Sequence, residues 1–242
     1  MAGSSGAARG GLSNCRTRIA VIIPTLNEEA SIGEVLAEVP RDIVHRIIVA
    51  DGGSSDATAV RARLAGADIV EAGRGYGRAC LAGAQAAKNA DILVFMDGDG
   101  ADDPSAIPRL VAPIEAGLCD FVIGSRVSGI AERNSMAWYQ RWAGFSLGLA
   151  MGALYGVRYT DLCAFRAIRR DALRSLGMRE MTYGWNPEMQ MRAARAKLRI
   201  REVPVNNRRR LGGVSKVSGS LRGSLKAGIR ILVTFGRLAL GH

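Results

Sequence analysis

The chain has 242 residues, 48% of them apolar, with 33 Lys and Arg against 22 Asp and Glu for a net charge of +11. That length suits one domain with small extensions, and the apolar share is enough to bury a sizeable core. The basic surplus points to an anionic partner (nucleic acid, a phosphorylated substrate or an anionic membrane surface), while an aromatic share of 5% argues against a surface of stacked rings for single-stranded nucleic acid.

Residues 1–16, small and polar, read as a disordered segment without the apolar stretch of a signal peptide. The β-branched run Arg18–Ile23 predicts a buried strand, ended by Pro24. A helix follows over Ser31–Val39, then a strand within Ile43–Ala50, a turn at Asp51-Gly52-Gly53-Ser54-Ser55-Asp56, and a helix from Ala57. Asp68–Glu71 is a third strand. The loop Gly73-Arg74-Gly75-Tyr76-Gly77-Arg78 leads into an alanine-rich helix ending at Asn89; its glycines do not have the dinucleotide-binding spacing. A fourth strand over Asp91–Met96, a helix over Pro104–Gly117 and a fifth strand over Asp120–Gly124 complete the alternation. Strand and helix at this spacing predict an α/β fold with a mostly parallel sheet flanked by helices.

The fourth strand empties into Asp97-Gly98-Asp99-Gly100-Ala101-Asp102-Asp103. In open α/β sheets ligands sit at the carboxyl ends of strands. Two carboxylates one residue apart repel unless a cation lies between them, and an all-oxygen set suits Mg²⁺ or Mn²⁺ rather than zinc. Gly98 and Gly100 allow a tight turn and close approach to a ligand. The same stretch also reads as a polar strand-to-helix loop with Asp103 as N-cap ahead of Pro104.

Beyond Arg126 the pattern changes. Arg133, Arg141 and Arg158 flank two apolar segments, Trp138–Phe145 and Leu147–Tyr155, compatible with amphipathic helices. Asp161–Ile168 reads as a strand, Pro187–Lys197 as a helix carrying Glu188, and Ile200–Val205 as a strand. Arg208 to Lys216 is a basic, glycine-broken loop, either a solvated charge run or a phosphate-binding one. Leu221–Leu240 reads as an amphipathic helix with a basic side. It either lies in a membrane interface or docks on its own domain. The cysteines, Cys15, Cys80, Cys119 and Cys163, are too scattered for a zinc site or a disulfide framework, which predicts reduced thiols in a cytoplasmic protein. No run reaches the length of a membrane-spanning helix.

Pro24-Thr25-Leu26-Asn27-Glu28, Asp51 to Thr58, Asp97-Gly98-Asp99, Gly124-Ser125-Arg126, Cys163-Ala164-Phe165-Arg166 and Gly213-Val214-Ser215-Lys216 occur in order. This series resembles the family 2 glycosyltransferases of the GT-A fold, and within them the dolichol-phosphate and polyprenyl-phosphate hexosyltransferases. The resemblance covers residues 18–218. It implies a nucleotide-sugar pocket lined by Pro24, Leu26, Glu28, Asp51 and Gly98, with Asp97 and Asp99 holding the donor diphosphate through Mg²⁺ or Mn²⁺. It implies Arg126 at the donor–acceptor junction, Arg210 and Lys216 over the diphosphate, and Arg141 with Arg133 toward an acceptor phosphate. The implied catalytic set is Asp97, Asp99, Arg126 and Lys216. The implied partners are a UDP-glucose- or GDP-mannose-type donor, a polyprenyl phosphate and the inner membrane surface, with residues 17–218 as the catalytic domain and 219–242 as a peripheral helix.

Departures from the family pattern are Gly52, where a second acid is common, Ala101, where a polar residue is common and water or Asp102 would substitute, and the lack of carboxy-terminal spanning helices that some branches carry. The histidines, His45 and His242, lie outside every motif. A phosphate acceptor is already an anion near neutral pH, since the second pKa of a phosphate ester is about 6, so it needs no base. A soluble or peptidyl hydroxyl acceptor would need one, with Asp161 or Glu188 as candidates; Asp161 could instead hold a neighbouring arginine. A nucleotidyltransferase would carry a glycine-rich basic loop after the first strand, where this chain has Thr25-Leu26-Asn27-Glu28-Glu29. A nucleic-acid-binding protein would account for the charge but not for acids gathered at strand ends.

Overall fold

The computed structural model describes residues 16–129, 148–149, 151–157, 159–212, 233–234 and 236–237. Among the described residues seven strands form one sheet in the order β3-β2-β1-β4-β6-β5-β7. They are β1 (Ile19–Thr25), β2 (Val44–Asp51), β3 (Asp68–Glu71), β4 (Ile92–Phe95), β5 (Phe121–Ser125), β6 (Arg166–Arg169) and β7 (Ile200–Pro204). All residues of β1, β4 and β5 are buried, as expected of near-continuous apolar strands covered on both faces. The helices among the described residues are α1 (Ile32–Ala37), α2 (Thr58–Leu64), α3 (Tyr76–Ala86), α4 (Ile107–Glu115), α5 (Arg170–Leu176) and α6 (Trp185–Arg195), with helical positions also at 148–149, 151–155, 233–234 and 236–237.

β1 pairs in parallel with β2 and β4, and Thr25 lies opposite Asp51, so the ends of β1 and β2 are level. β6 alone runs against its neighbours, antiparallel to both β4 and β5. Its first residue, Arg166, pairs with Phe95 at the end of β4 and with Ile123 of β5. The segment before β6 therefore sits at the same sheet edge as the segments after β1, β2, β4 and β5.

Three predicted elements differ. The strand expected over Asp161–Ile168 is only Arg166–Arg169. Residues ahead of it find partners off the ladder: the fully buried Arg166 guanidinium takes the carbonyls of Leu162 and Cys163, and Gln190 Nε2 donates to the Asp161 carbonyl at 3.0 Å. The helix expected over Pro187–Lys197 begins at Trp185, because the Glu188 N–H already reaches the Gly184 carbonyl (2.9 Å). It ends before Lys197, whose φ of 54° is left-handed. The helix expected from Pro104 opens as a 3₁₀ turn, Pro104–Ala106, before α4; Asp103 caps it, accepting from the Ser105 N–H at 3.1 Å.

The glycine-rich loop has a packing role that its sequence does not declare. A Cβ on Gly75 would lie 2.5 Å from the Met181 carbonyl oxygen, and one on Gly77 would overlap the Glu180 carbonyl and sit 2.9 Å from the Met181 carbonyl carbon. The Arg78 N–H donates to Met181 at 3.0 Å. Backbone thus lies on backbone, and Tyr76, between the two glycines, is fixed at the start of α3. Glu180 also receives a hydrogen bond from Thr234 (3.1 Å), which is buried, so the C-terminal segment docks on the domain at that point. Among the described residues no helix is long and apolar enough to cross a membrane.

Candidate active site

The turn after β1 is interlocked with the turn after β2. Asn27 adopts φ 52°, unusual for a side-chain-bearing residue. Its N–H donates to Ser54 Oγ (2.8 Å) and its Oδ1 accepts from the Ser55 N–H (2.9 Å), which stabilises that conformation. The Glu28 N–H donates to Thr58 Oγ1 at 2.8 Å, and Asp51 accepts from the Ser54 N–H at 3.0 Å. Pro24, Glu28, Asp51 and Gly98 are buried or nearly so and Leu26 is half-buried, all at the carboxyl edge of the sheet. At Gly52 the N–H bonds the Thr25 carbonyl (2.8 Å), and a Cβ would come within 3.1 Å of the same oxygen. The glycine in place of the common acid therefore lets two strand ends close on each other.

Asp97, Asp99 and Asp102 converge one strand further along. Tyr76 Oη donates to Asp97 Oδ1 (3.2 Å), the Asp97 N–H donates to Asp102 Oδ2 (3.0 Å), and the Ala101 N–H donates to Asp99 Oδ1 (2.9 Å). Removal from water, then the neighbouring Asp99 and Asp102 charges, push Asp97 up to about 8. Burial foremost pushes Asp102 up to about 6. These are carboxylates that lack a sufficient counter-charge. Among the described residues no three acidic, histidine or cysteine side chains are grouped to enclose an ion. Two carboxylates with the remaining positions left to ligand oxygens is the pattern Mg²⁺ and Mn²⁺ accept.

Arg126 follows β5 and is gripped by Asp161. Its Nε and Nη2 each lie 2.8 Å from an Asp161 oxygen and its N–H donates at 3.0 Å. Beside this pair, Ser125 Oγ and Thr160 Oγ1 are 2.7 Å apart. Residues 127–160 thus leave and rejoin the sheet edge through a closed neck. The Arg126 charge is near enough to lower both Asp97 and Asp102. Glu188 is fully buried, accepting from the Arg179 and Glu180 N–H groups and from Arg192 Nε (2.8 Å). Arg210 reaches Asp99 Oδ2 at 2.7 Å and Glu28 Oε1 at 3.4 Å, joining the first and fourth strand ends.

Of the residues expected at a site, Pro24, Leu26, Glu28, Asp51, Asp97, Gly98, Asp99, Arg126 and Arg210 share this edge. Arg133, Arg141 and Lys216 lie outside the described residues, as do most of the Trp138–Tyr155 and Leu221–Leu240 segments. Tyr76 was not singled out from sequence, and Asp102 only as a substitute for the polar residue missing at Ala101; its Oδ2 accepts the Asp97 N–H. The signal for Tyr76 was its place between two glycines that matched no nucleotide motif.

A sheet of this order with acids at the end of β4 is that of a nucleotide-sugar transferase. The model of glycosyl transferase family 2 matches residues 20–177, and the chain belongs to that family. It is 33% identical over 233 residues to an undecaprenyl-phosphate mannosyltransferase of Micrococcus luteus, covering 85% of this chain and 90% of that one. It is 34% identical over 220 residues to a polyprenol monophosphomannose synthase of Mycolicibacterium smegmatis (84% and 82% covered). In fold it is similar to glucosyl-3-phosphoglycerate synthase of Mycobacterium tuberculosis, solved with Mn²⁺, UDP-glucose and phosphoglyceric acid. That likeness has a TM-score of 0.72 at 25% identity and covers 92% of this chain and 80% of the other. The mixed, mostly parallel sheet is the GT-A arrangement.

Proposed function

We propose that this chain is an inverting hexosyltransferase that moves a sugar from a UDP-glucose- or GDP-mannose-type donor to a polyprenyl phosphate at the membrane surface. Residues 17–218 form the catalytic unit and 219–242 a peripheral helix. The two lipid-phosphate relatives support the acceptor class. The observation that carries the reading is the state of the two candidate bases. Asp161 has both oxygens on Arg126, and Glu188 is buried and saturated with donors. Neither of these two is open to take a proton from a hydroxyl, whereas a phosphate acceptor needs no base, only an aimed arginine.

Asp97 and Asp99 would hold Mg²⁺ or Mn²⁺, which when bound supplies positive charge to the leaving diphosphate. Pro24, Leu26, Glu28, Asp51 and Gly98 bind and orient the nucleoside. Arg210 and Lys216 neutralise charge that grows on the diphosphate. Arg126, held by Asp161, with Arg133 and Arg141, positions the acceptor phosphate. Its oxygen attacks the anomeric carbon; the new C–O bond forms as the bond to the diphosphate breaks, and the diphosphate leaves with the electron pair. No proton moves.

The test offers the full chain a panel of nucleotide-sugars with a short polyprenyl phosphate or phosphoglyceric acid, with Mg²⁺, Mn²⁺ or chelator, alongside sedimentation with anionic liposomes. Metal-dependent transfer to the lipid phosphate and salt-sensitive sedimentation are expected. The structural likeness to a synthase solved with phosphoglyceric acid favours a second reading, a soluble acceptor. Efficient transfer to phosphoglyceric acid with none to lipid, and no liposome binding, would put that reading in place of the first.

A further inference from the structure

Asp99 has two oxygens with different occupants. Oδ1 accepts the Ala101 N–H at 2.9 Å, a bond internal to the loop. Oδ2 is the oxygen left to take a cation, and Arg210 Nη2 sits on it at 2.7 Å. The same Nη2 is 3.4 Å from Glu28 Oε1, and Arg210 Nε is buried with no partner among the described residues. The guanidinium is thus held by two carboxylates at one end and is incompletely satisfied at the other.

The backbone on either side of Arg210 is pinned. The Arg208 N–H donates to the Ala101 carbonyl (2.9 Å) and the Leu211 N–H to the Asp99 carbonyl (3.1 Å). The Arg208 side chain bonds Asp103 and Glu38, and Leu211 covers Gly100 so closely that a Cβ there would lie 2.5 Å from Leu211 Cγ. The Arg210 side chain keeps 26% of its surface in contact with water. It can rotate away while the loop stays where it is.

We infer that Arg210 is the resident cation of Asp99 in the donor-free protein, and that a divalent ion displaces it onto the donor diphosphate. This rests on the reading of Asp97 and Asp99 as cation ligands. A guanidinium and a divalent ion on one oxygen repel each other, so the ion alone binds against the cost of freeing Arg210. When a nucleoside diphosphate is present, the freed guanidinium gains a bidentate anionic partner. Ion and nucleotide therefore bind cooperatively, and Arg210 is the coupling element.

The experiment is a Mn²⁺ titration of the full chain, read by the paramagnetic resonance of the free ion, with and without saturating UDP. It compares wild type, Arg210→Ala, Glu28→Gln and Asp99→Ala, each checked for folding by circular dichroism. Without nucleotide, Arg210→Ala should bind Mn²⁺ on the order of tenfold more tightly than wild type, the size of one charge-assisted bond. Glu28→Gln, which loosens the same guanidinium, should show a smaller gain. The increase in Mn²⁺ affinity that UDP brings to wild type should shrink by a similar factor in Arg210→Ala. Equal nucleotide-free affinities in wild type and both loosened variants, or an undiminished UDP effect, overturn the exchange alone. Mn²⁺ binding that Asp99→Ala leaves unaltered, with or without UDP, overturns the cation site itself.

Discussion

Asp161→Asn tests the Arg126 grip with little change in shape. Asp161 is 4% exposed and accepts three N–H groups from one arginine, at 2.8, 2.8 and 3.0 Å. The amide keeps one acceptor oxygen, turns the other into a donor facing a guanidinium N–H, and removes the charge. Stranding a buried charge costs about 3–5 kcal/mol, and losing one charge-assisted bond about 1.5–3 kcal/mol. Arg126 retains 25% side-chain exposure, so water recovers part of the loss. The lower end, about 2 kcal/mol, is expected, which for a domain of this size lowers the melting temperature by about 4–8 °C. Loss of aim should act on turnover more than on donor binding: kcat falls on the order of tenfold or more while donor KM stays near wild type. Thermal unfolding by circular dichroism and steady-state transfer measure the two effects, and the Arg126→Ala/Asp161→Asn double variant isolates the pair. An Asn variant with wild-type melting temperature and kcat would refute the positioning role.

Asp99→Ala should abolish metal-dependent UDP binding, followed by calorimetry, while the fold survives; full turnover in that variant or in excess chelator counts against the metal role. Asp97 and Asp102 have carboxyls raised by burial to about 8 and about 6, so the folded state holds protons that the unfolded chain has released. Their contribution to stability is complete below the unfolded value of about 4 and is lost as pH rises toward 8. The metal-free melting temperature should therefore fall between pH 5 and 8, and Asp97→Asn should flatten that slope; a slope unchanged in the variant assigns it elsewhere. Gly77→Ala should destabilise by about 3 kcal/mol, the upper end for overpacking, because the new methyl meets backbone. Gly33→Ala, a helical site with nothing within 4 Å, should instead stabilise by about 0.5–1 kcal/mol. Chemical denaturation of both variants tests the contrast.

The alternation of strand and helix was legible because β1, β4 and β5 are short, fully buried runs, β2 ends in one (Ile47–Ala50), and turn residues close each of them, so the pattern is local. The direction of β6 was not. Four residues, Arg166–Arg169, carry no sign of polarity, and their placement between β4 and β5 is decided by packing. The strand was expected from Asp161 because Leu162, Cys163 and Phe165 suit one; what starts it only at Arg166 is a tertiary contact, the buried Arg166 guanidinium on the carbonyls of Leu162 and Cys163. The Asp97/Asp99 pair stood out because acids follow a buried strand directly. Tyr76 did not, since its contact with Asp97 depends on two glycines lying against residues 180–181, far off in sequence. Arg210 was placed over a diphosphate on family resemblance; its bond to Asp99 joins segments that no local pattern relates.

The closed neck at Ser125–Arg126 and Thr160–Asp161 has a consequence for how the chain can change. Residues 127–160 leave the sheet and come back to it within one hydrogen bond of their departure point. The entropic cost of joining the two ends is met by the neck and grows slowly with the length of what it encloses. Such a segment can change in length between its anchors while the strands, the acids of β4 and the arginine at the junction keep their places; Met151 and Tyr159, buried in the same core as the strands, and the Tyr159 Oη bond to the Gln190 carbonyl (2.9 Å) are points that must stay. Variation in length can therefore gather in this one excursion, away from the interlocked turns after β1 and β2 and the acids after β4.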